Sequence, residues 1–169
     1  MKQTLLTFAL VFFGIGTAAF ADDRPVLHGP HNVNGTLGFA PGGVTVSAGY
    51  EYLMDGSLGV GGYVRMFPKE TGPRNAAPGI LVLGVGAGHH FYKKNWDLSF
   101  TPSLGIINID AIAGDDVSTL GPGLGIGLAY QLTGVWAVGF ENTRYWVWFN
   151  SDYAGELRDD MSVKVRATF

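Results

Sequence analysis

The sequence predicts an all-β protein, an eight-stranded antiparallel up-and-down transmembrane β-barrel. Three observations point there. Apolar residues recur with period two in segment after segment. The opposite face of those segments is glycine, serine and threonine rather than lysine and glutamate. Aromatic residues gather at the segment ends.

The first residues form a targeting signal. Lys2, the apolar run over 5–15 and the small residues of Ala19-Phe20-Ala21 have the layout of a secretory leader cleaved before Asp22. The run is too short to span a membrane as a helix. The expected division is therefore residues 1–21 as a cleaved signal peptide, 22–32 as a periplasmic N-terminal segment and 33–169 as the barrel. Cleavage takes 21 of the 169 residues and leaves 148, enough for one domain. Lys2 is the only basic residue removed, leaving 10 against 14 acidic ones. That mild acidity lacks the basic face a nucleic-acid partner requires. There is no cysteine, which excludes a disulfide framework, a thiolate metal site and a thiol nucleophile. With 26 glycines, a helical fold would lose about 1 kcal/mol at each interior one.

Eight segments follow in order. The first, 33–40, runs to Phe39 and the turn Pro41-Gly42-Gly43. In the second, 44–53, Val44, Val46, Ala48, Tyr50 and Tyr52 oppose Thr45, Ser47, Gly49 and Glu51. The third, 57–67, sets Leu58, Val60, Gly62, Val64 and Met66 against Gly59, Gly61, Tyr63 and Arg65. The fourth, 80–91, sets Leu81, Leu83, Val85 and Ala87 against Val82, Gly84, Gly86, Gly88 and His90. In the fifth, 96–107, Leu98, Phe100, Pro102, Leu104 and Ile106 oppose Asp97, Ser99, Thr101, Ser103 and Gly105. In the sixth, 120–131, Leu120, Pro122, Leu124, Ile126, Leu128 and Tyr130 oppose four glycines, Ala129 and Gln131. The seventh is 135–149. The eighth, 160–169, carries Met161, Val163, Val165, Ala167 and Phe169 on one face, with Ser162, Lys164, Arg166 and Thr168 on the other. An aliphatic face with a small, polar counterface suits a narrow barrel whose aliphatic side meets lipid.

Connection lengths agree. Met54-Asp55-Gly56, Lys93-Lys94 and Leu132-Thr133-Gly134 are short and alternate with longer stretches at 68–79, 108–119 and 150–159, the asymmetry of periplasmic turns and external loops. Gly56 and Gly134 are expected to take the left-handed conformation that ends a three-residue hairpin loop, pairing Leu53 with Ser57 and Gln131 with Val135. Tyr52, Phe91, Trp96, Tyr130, Trp136 and Phe169 would form one aromatic girdle, and Phe39, Tyr145, Trp146, Trp148 and Phe149 the other.

The segment Gly123 to Tyr145 (GLGIGLAYQLTGVWAVGFENTRY) resembles the penultimate hairpin of the OmpA/OmpX/opacity-type small outer-membrane barrels. The terminal MSVKVRATF resembles their C-terminal recognition strand. The resemblance implies residence in the bacterial outer membrane among lipid and lipopolysaccharide, as a monomer. It also implies assembly by the barrel-assembly machinery, which reads Phe169. No wall-binding segment follows the barrel, so peptidoglycan anchoring is not expected.

Inside the barrel, Glu51, Asp97 and Glu141 balance Arg65, Lys164 and Arg166, with Glu141 near Lys164 and His90 across from Asp97. Buried ions must be paired, so these seven residues read as a structural lumen charge network. The alternative is a narrow channel for small or apolar solutes, as in OmpW-type barrels, in which the charges exchange partners. Inward glycines leave room for water, or for residues 22–32 to fold back as a plug. Some eight-stranded barrels modify lipid A. His90 and Asp97 with Ser99 or Ser103 supply triad residue types, but the His-x-Ser motif of the lipid A deacylases is absent, and no catalysis is expected. His28 and His31 lack a third metal ligand, the glycine runs GVGAGHH and GLGIG lie within strands where no phosphate is cradled, and no cofactor is expected. Asp110, Asp115, Asp116, Asp152, Glu156, Asp159 and Asp160, facing Lys69, Arg74 and Arg158, read as solvated external loops, with cation bridging to lipopolysaccharide as the functional alternative. In the seventh segment, placing Glu141 inward turns Asn142 and Arg144 outward. Either the membrane ends there and Arg144 reaches lipopolysaccharide phosphate, or a bulge resets the phase. The function expected is structural, in envelope integrity or surface interaction.

Overall fold

A computed structural model describes residues 25–40, 43–72, 76–150 and 157–169. The leader, residues 22–24, Arg74, Asp152 and Glu156, and the side chain of Arg158, lie outside the described parts. Among the described residues eight strands close into one barrel in the order β1 to β8, each antiparallel to its neighbours. They are β1 (His31–Ala40), β2 (Gly43–Leu53), β3 (Leu58–Phe67), β4 (Gly79–Lys93), β5 (Trp96–Asp110), β6 (Val117–Gln131), β7 (Trp136–Trp146) and β8 (Leu157–Thr168). β8 pairs with β1 to complete the circle.

The two faces separate as the alternation requires. Val85 is 66% exposed and Phe140 61%, whereas Val82 and Ala137 are at 0%. The exposed belt continues round the molecule through Leu37, Val46, Val64, Leu83, Leu104, Ile126 and Val163. Such a surface far exceeds what a water-facing protein tolerates, and it is the lipid-facing side of a transmembrane barrel.

Strand lengths depart from expectation at the loop end. β4, β5 and β6 have 15 residues each, more than the roughly 9–11 that cross a bilayer. Residues 108–110 and 117–119 are thus strand rather than loop, because Ile107 and Ile109 continue the inward row. β7 stops at Trp146, three residues early, leaving Trp148 and Phe149 exposed beyond it.

The turns correct two expected pairings. Leu53 pairs with Gly59 and Gln131 with Ala137, each two residues further along than anticipated. A shift of two preserves the alternation, so the faces stay in phase. Gly56 is left-handed (φ 79°), and Asp55 Oδ1 accepts hydrogen bonds from the Ser57 and Leu58 amides, both at 2.8 Å. Gly134 is not left-handed. Thr133 Oγ1 organises that turn by accepting from the Val135 and Trp136 amides. What Gly134 provides is space, since a Cβ there would strike the His28 ring. Residues 25–30 accordingly lie against the rim of the terminal end. The His28 amide donates to Gly134 O at 3.1 Å and the Leu53 amide to Pro30 O at 2.7 Å. None of residues 25–30 borders the central cavity.

The β4–β5 ladder has one interruption. Its register is constant, yet the positions opposite Ala87 and Gly88 drop out where Pro102 and Thr101 would pair. Proline has no N–H, so Ala87 loses the donor it would meet within the lipid-spanning part of the wall. Pro102→Leu restores that donor on a lipid-facing position. It should raise stability in urea titrations of the lipid-reconstituted barrel by about 1 kcal/mol, with the new amide protected from hydrogen exchange. Unchanged stability with a freely exchanging amide would refute this account of the gap.

Candidate functional site: the ion-paired lumen

Closure of eight strands leaves an interior only wide enough for side chains. Inward glycines seat the bulky ones. A Cβ at Gly59 would collide with the Glu51 carboxyl group, one at Gly84 with the Tyr63 ring, and one at Gly123 with the Tyr145 ring. The charged side chains in this space form two layers.

The layer nearer the chain termini centres on Asp97. The His90 ring sits between two carboxylates, with Nδ1 2.9 Å from Asp97 Oδ1 and Nε2 3.2 Å from both Glu51 oxygens. Arg166 donates to Asp97 through one Nη and to Gln131 Oε1 through the other, the latter at 3.0 Å. Asn32 Nδ2 donates to Glu51 at 3.0 Å and Thr168 donates to Asn32 at 2.8 Å. Tyr92 stacks on His90 with ring planes 9° apart. His90 and Asp97 meet diagonally, because Asp97 lies directly opposite Tyr92.

The second layer centres on Arg65, which is 3% exposed. It donates to both oxygens of Asp160 at 2.6 and 2.7 Å and to Glu141 Oε1 at 2.5 Å. Lys164 donates to the other Glu141 oxygen at 2.7 Å, and Thr45 to Asp160 at 2.7 Å. Between the layers lies a polar cavity of about 100 Å³, bordered by Asn34, Glu51, His90, Thr101, Glu141 and Lys164 among others. Above Arg65 the lumen is apolar, packed with Phe67, Ile80, Val82, Ile107, Ile109, Tyr145 and Val147.

The structure thus groups Glu51, His90, Asp97 and Arg166 at one height and Arg65, Glu141 and Lys164 at another. Asp160 belongs with the second group rather than to a solvated loop. It is 3% exposed and shares the inward face of β8 with Ser162, Lys164 and Arg166. That parity was visible in the sequence, and the longer β8 makes it count. The apolar lid was only half visible, since Val82 and Ile107 fall on the inward face of expected strands while Ile109 lies beyond the expected end of the fifth. Tyr145 also moves from the expected girdle to this lid, where it is buried edge-on against Phe67.

Outside the lumen, β7 keeps one register against both neighbours, so there is no bulge. Arg144 points outward, 3.8 Å from Asp159, and Asn142 donates to Asp160 O. Asp110 pairs with Lys69 at 2.6 Å and Asp116 accepts from the Ala111 amide, so these acids are partly committed to holding the loops. His31 meets the Tyr50 hydroxyl at 2.7 Å and stacks on Phe169. Phe169 is 57% exposed and closes the lipid-facing row of β8, its backbone exchanging two hydrogen bonds with His31 across the β8–β1 seam.

A closed eight-stranded barrel with an aliphatic exterior and an ion-paired interior is a small transmembrane β-barrel of the outer-membrane type. Comparison with solved structures agrees with that class. The chain is similar to the N-terminal β-barrel domain of Pseudomonas aeruginosa OprF, with TM-score 0.64 and 12% identity over 82% of this chain and 96% of that one. It is similar to Neisserial surface protein A, with TM-score 0.60 and 14% identity over 82% and 94%. It is also similar to the outer membrane enzyme PagL, with TM-score 0.57 and 14% identity over 82% and 99%. No protein-family model and no curated protein matches the chain. At these identities the likeness is one of fold. That fold is shared with the barrels of OprF, Neisserial surface protein A and PagL, and with the lipid-facing belt it makes this chain a small transmembrane β-barrel protein.

Replacing Arg65 tests how far the second layer supports the fold. Arg65→Met leaves Asp160 and Glu141 short of a cation inside a low-dielectric space, and should cost about 3–5 kcal/mol in urea unfolding. Adding Asp160→Asn should recover part of that loss. A single-variant cost below about 1 kcal/mol, the range of exposed pairs, would show that the layer is not a buried ion cluster.

Proposed function

We propose that the protein is a closed, non-enzymatic structural barrel of the outer membrane, serving envelope integrity or surface interaction, with a lumen that does not conduct. One observation carries this reading. Two ion-paired layers and an apolar lid lie in series along the axis, leaving a central cavity of about 100 Å³, room for a few waters.

The non-catalytic reading is supported by the surroundings of His90. In a serine triad one ring nitrogen is held by the carboxylate and the other addresses the hydroxyl. Here the second nitrogen addresses Glu51, and Ser103 is engaged with the Tyr63 hydroxyl at 2.9 Å. Sharing a fold with an enzyme does not transfer its chemistry. The channel reading has one observation in its favour. Lys164 and Glu141 border the cavity and keep 13% and 15% of their side chains accessible, so this pair is the least enclosed of the network.

Planar-bilayer recording of the purified, folded protein separates the two. The structural reading expects no discrete conductance steps from the native chain. Reproducible steps that disappear in Lys164→Glu or Glu141→Lys would establish the channel instead.

A further inference from the structure

The lower layer has a charge imbalance that one bound proton would remove. Among the described residues it contains two carboxylates, Glu51 and Asp97, and one permanent cation, Arg166. The upper layer balances without help, with Glu141 and Asp160 against Arg65 and Lys164. His90 is the remaining ionisable group in the lower layer within hydrogen-bonding distance of a carboxylate. Its side chain is 2% exposed, as is that of Asp97. A neutral imidazole has one donor nitrogen and one acceptor nitrogen. An acceptor nitrogen facing an ionised carboxylate would oppose two lone pairs in a site without bulk water, which a buried polar group does not tolerate cheaply. Both ring nitrogens of His90 face carboxylates, at 2.9 Å and 3.2 Å.

We infer that the lumen contains a bound proton, held on His90 as an imidazolium that bridges Asp97 to Glu51 and completes the charge balance of the lower layer. The site is a proton-binding site built from three strands, with Glu51 on β2, His90 on β4 and Asp97 on β5. Arg166 approaches Asp97 from β8, and the Tyr92 ring stacks on the imidazole. Lys164, the next cation along β8, donates to Glu141 at 2.7 Å and acts on Glu51 only through space, so the hydrogen bonds to Glu51 come from His90 and Asn32. The proton joins β2 to the β4–β5 hairpin across the interior. It stands on the lumen geometry alone and holds whether the barrel conducts or not.

Two measurements on the full barrel in lipid nanodiscs test it. Nitrogen-15 NMR of the imidazole at neutral pH should give the signature of two protonated ring nitrogens for His90. A neutral-tautomer spectrum, with one nitrogen bare, overturns the assignment. The second measurement is charge rescue. His90→Gln keeps a donor but removes the charge, and should shift the unfolding equilibrium toward the unfolded state by roughly a hundredfold to a thousandfold, the size expected for a buried pair deprived of one partner. Adding Glu51→Gln to that variant should return most of the loss, since the uncompensated carboxylate is then gone. If the double variant is no more stable than His90→Gln, the lower layer does not need the proton and the proposal fails. Where His90→Gln alone does not fold, recovery of folding by the double variant supports the proposal, and continued failure to fold counts against it.

Discussion

A backbone in lipid has no water to satisfy its amides and carbonyls, so a sheet that crosses a bilayer must close on itself. Nearly everything else in this molecule follows from that constraint. Closure with eight strands sets a lumen too narrow for bulk solvent, and the alternation that turns Leu, Val and Ile outward sends every second residue into that lumen. The interior therefore holds whatever the inward positions carry. Here these are glycines, hydroxyls, a few long charged side chains and, toward the loops, a cluster of aliphatic and aromatic groups. The glycines are part of the packing, since the Glu51, Tyr63 and Tyr145 side chains occupy the places where other Cβ atoms would be.

Charges enclosed in this way are costly unless paired, and the lumen resolves the cost in layers. Each layer joins strands far apart in the chain. Arg65 on β3 reaches Asp160 on β8, Arg166 on β8 reaches Asp97 on β5, and His90 on β4 reaches Glu51 on β2. These cross-lumen ties act on strands that are otherwise bonded only to immediate neighbours. They stiffen the cross-section in directions that the hydrogen-bond ladder does not. The ladder itself has a soft place at Ala87 and Pro102, where a donor is missing from the wall. The His90–Asp97 contact joins the same two strands nearer the turn.

The sequence was a good guide to local properties. Period-two alternation placed the eight strands and their faces, because the direction of a side chain in a strand depends only on its neighbours along the chain. Errors fell where tertiary context decides. The hairpins at Met54 and Leu132 are one pairing step longer than their glycines suggested, since Thr133 and the close approach of His28 shape the second turn. β5 and β6 continue past the expected membrane edge because Ile107 and Ile109 find partners in the lid. The ambiguous stretch around Asn142 and Arg144 keeps its phase, as an outward asparagine and arginine near the rim find partners in Asp160 O and Asp159.

By itself, then, the sequence determined the class of fold, the strand order, the lipid-facing belt ending at Phe169 and the inward orientation of Glu51, Arg65, His90, Asp97, Glu141, Lys164 and Arg166. The Glu141–Lys164 and His90–Asp97 contacts, each within one hairpin, were also legible there, and only the tertiary structure decided which of the others meet. Height and angular position around a closed barrel depend on the register of all eight strands together, a sum that no single segment reveals. That sum brought Asp160 to Arg65, set His90 between two carboxylates and stacked the apolar lid above them. Orientation is a local property of a strand, whereas partnership across a lumen belongs to the closed sheet.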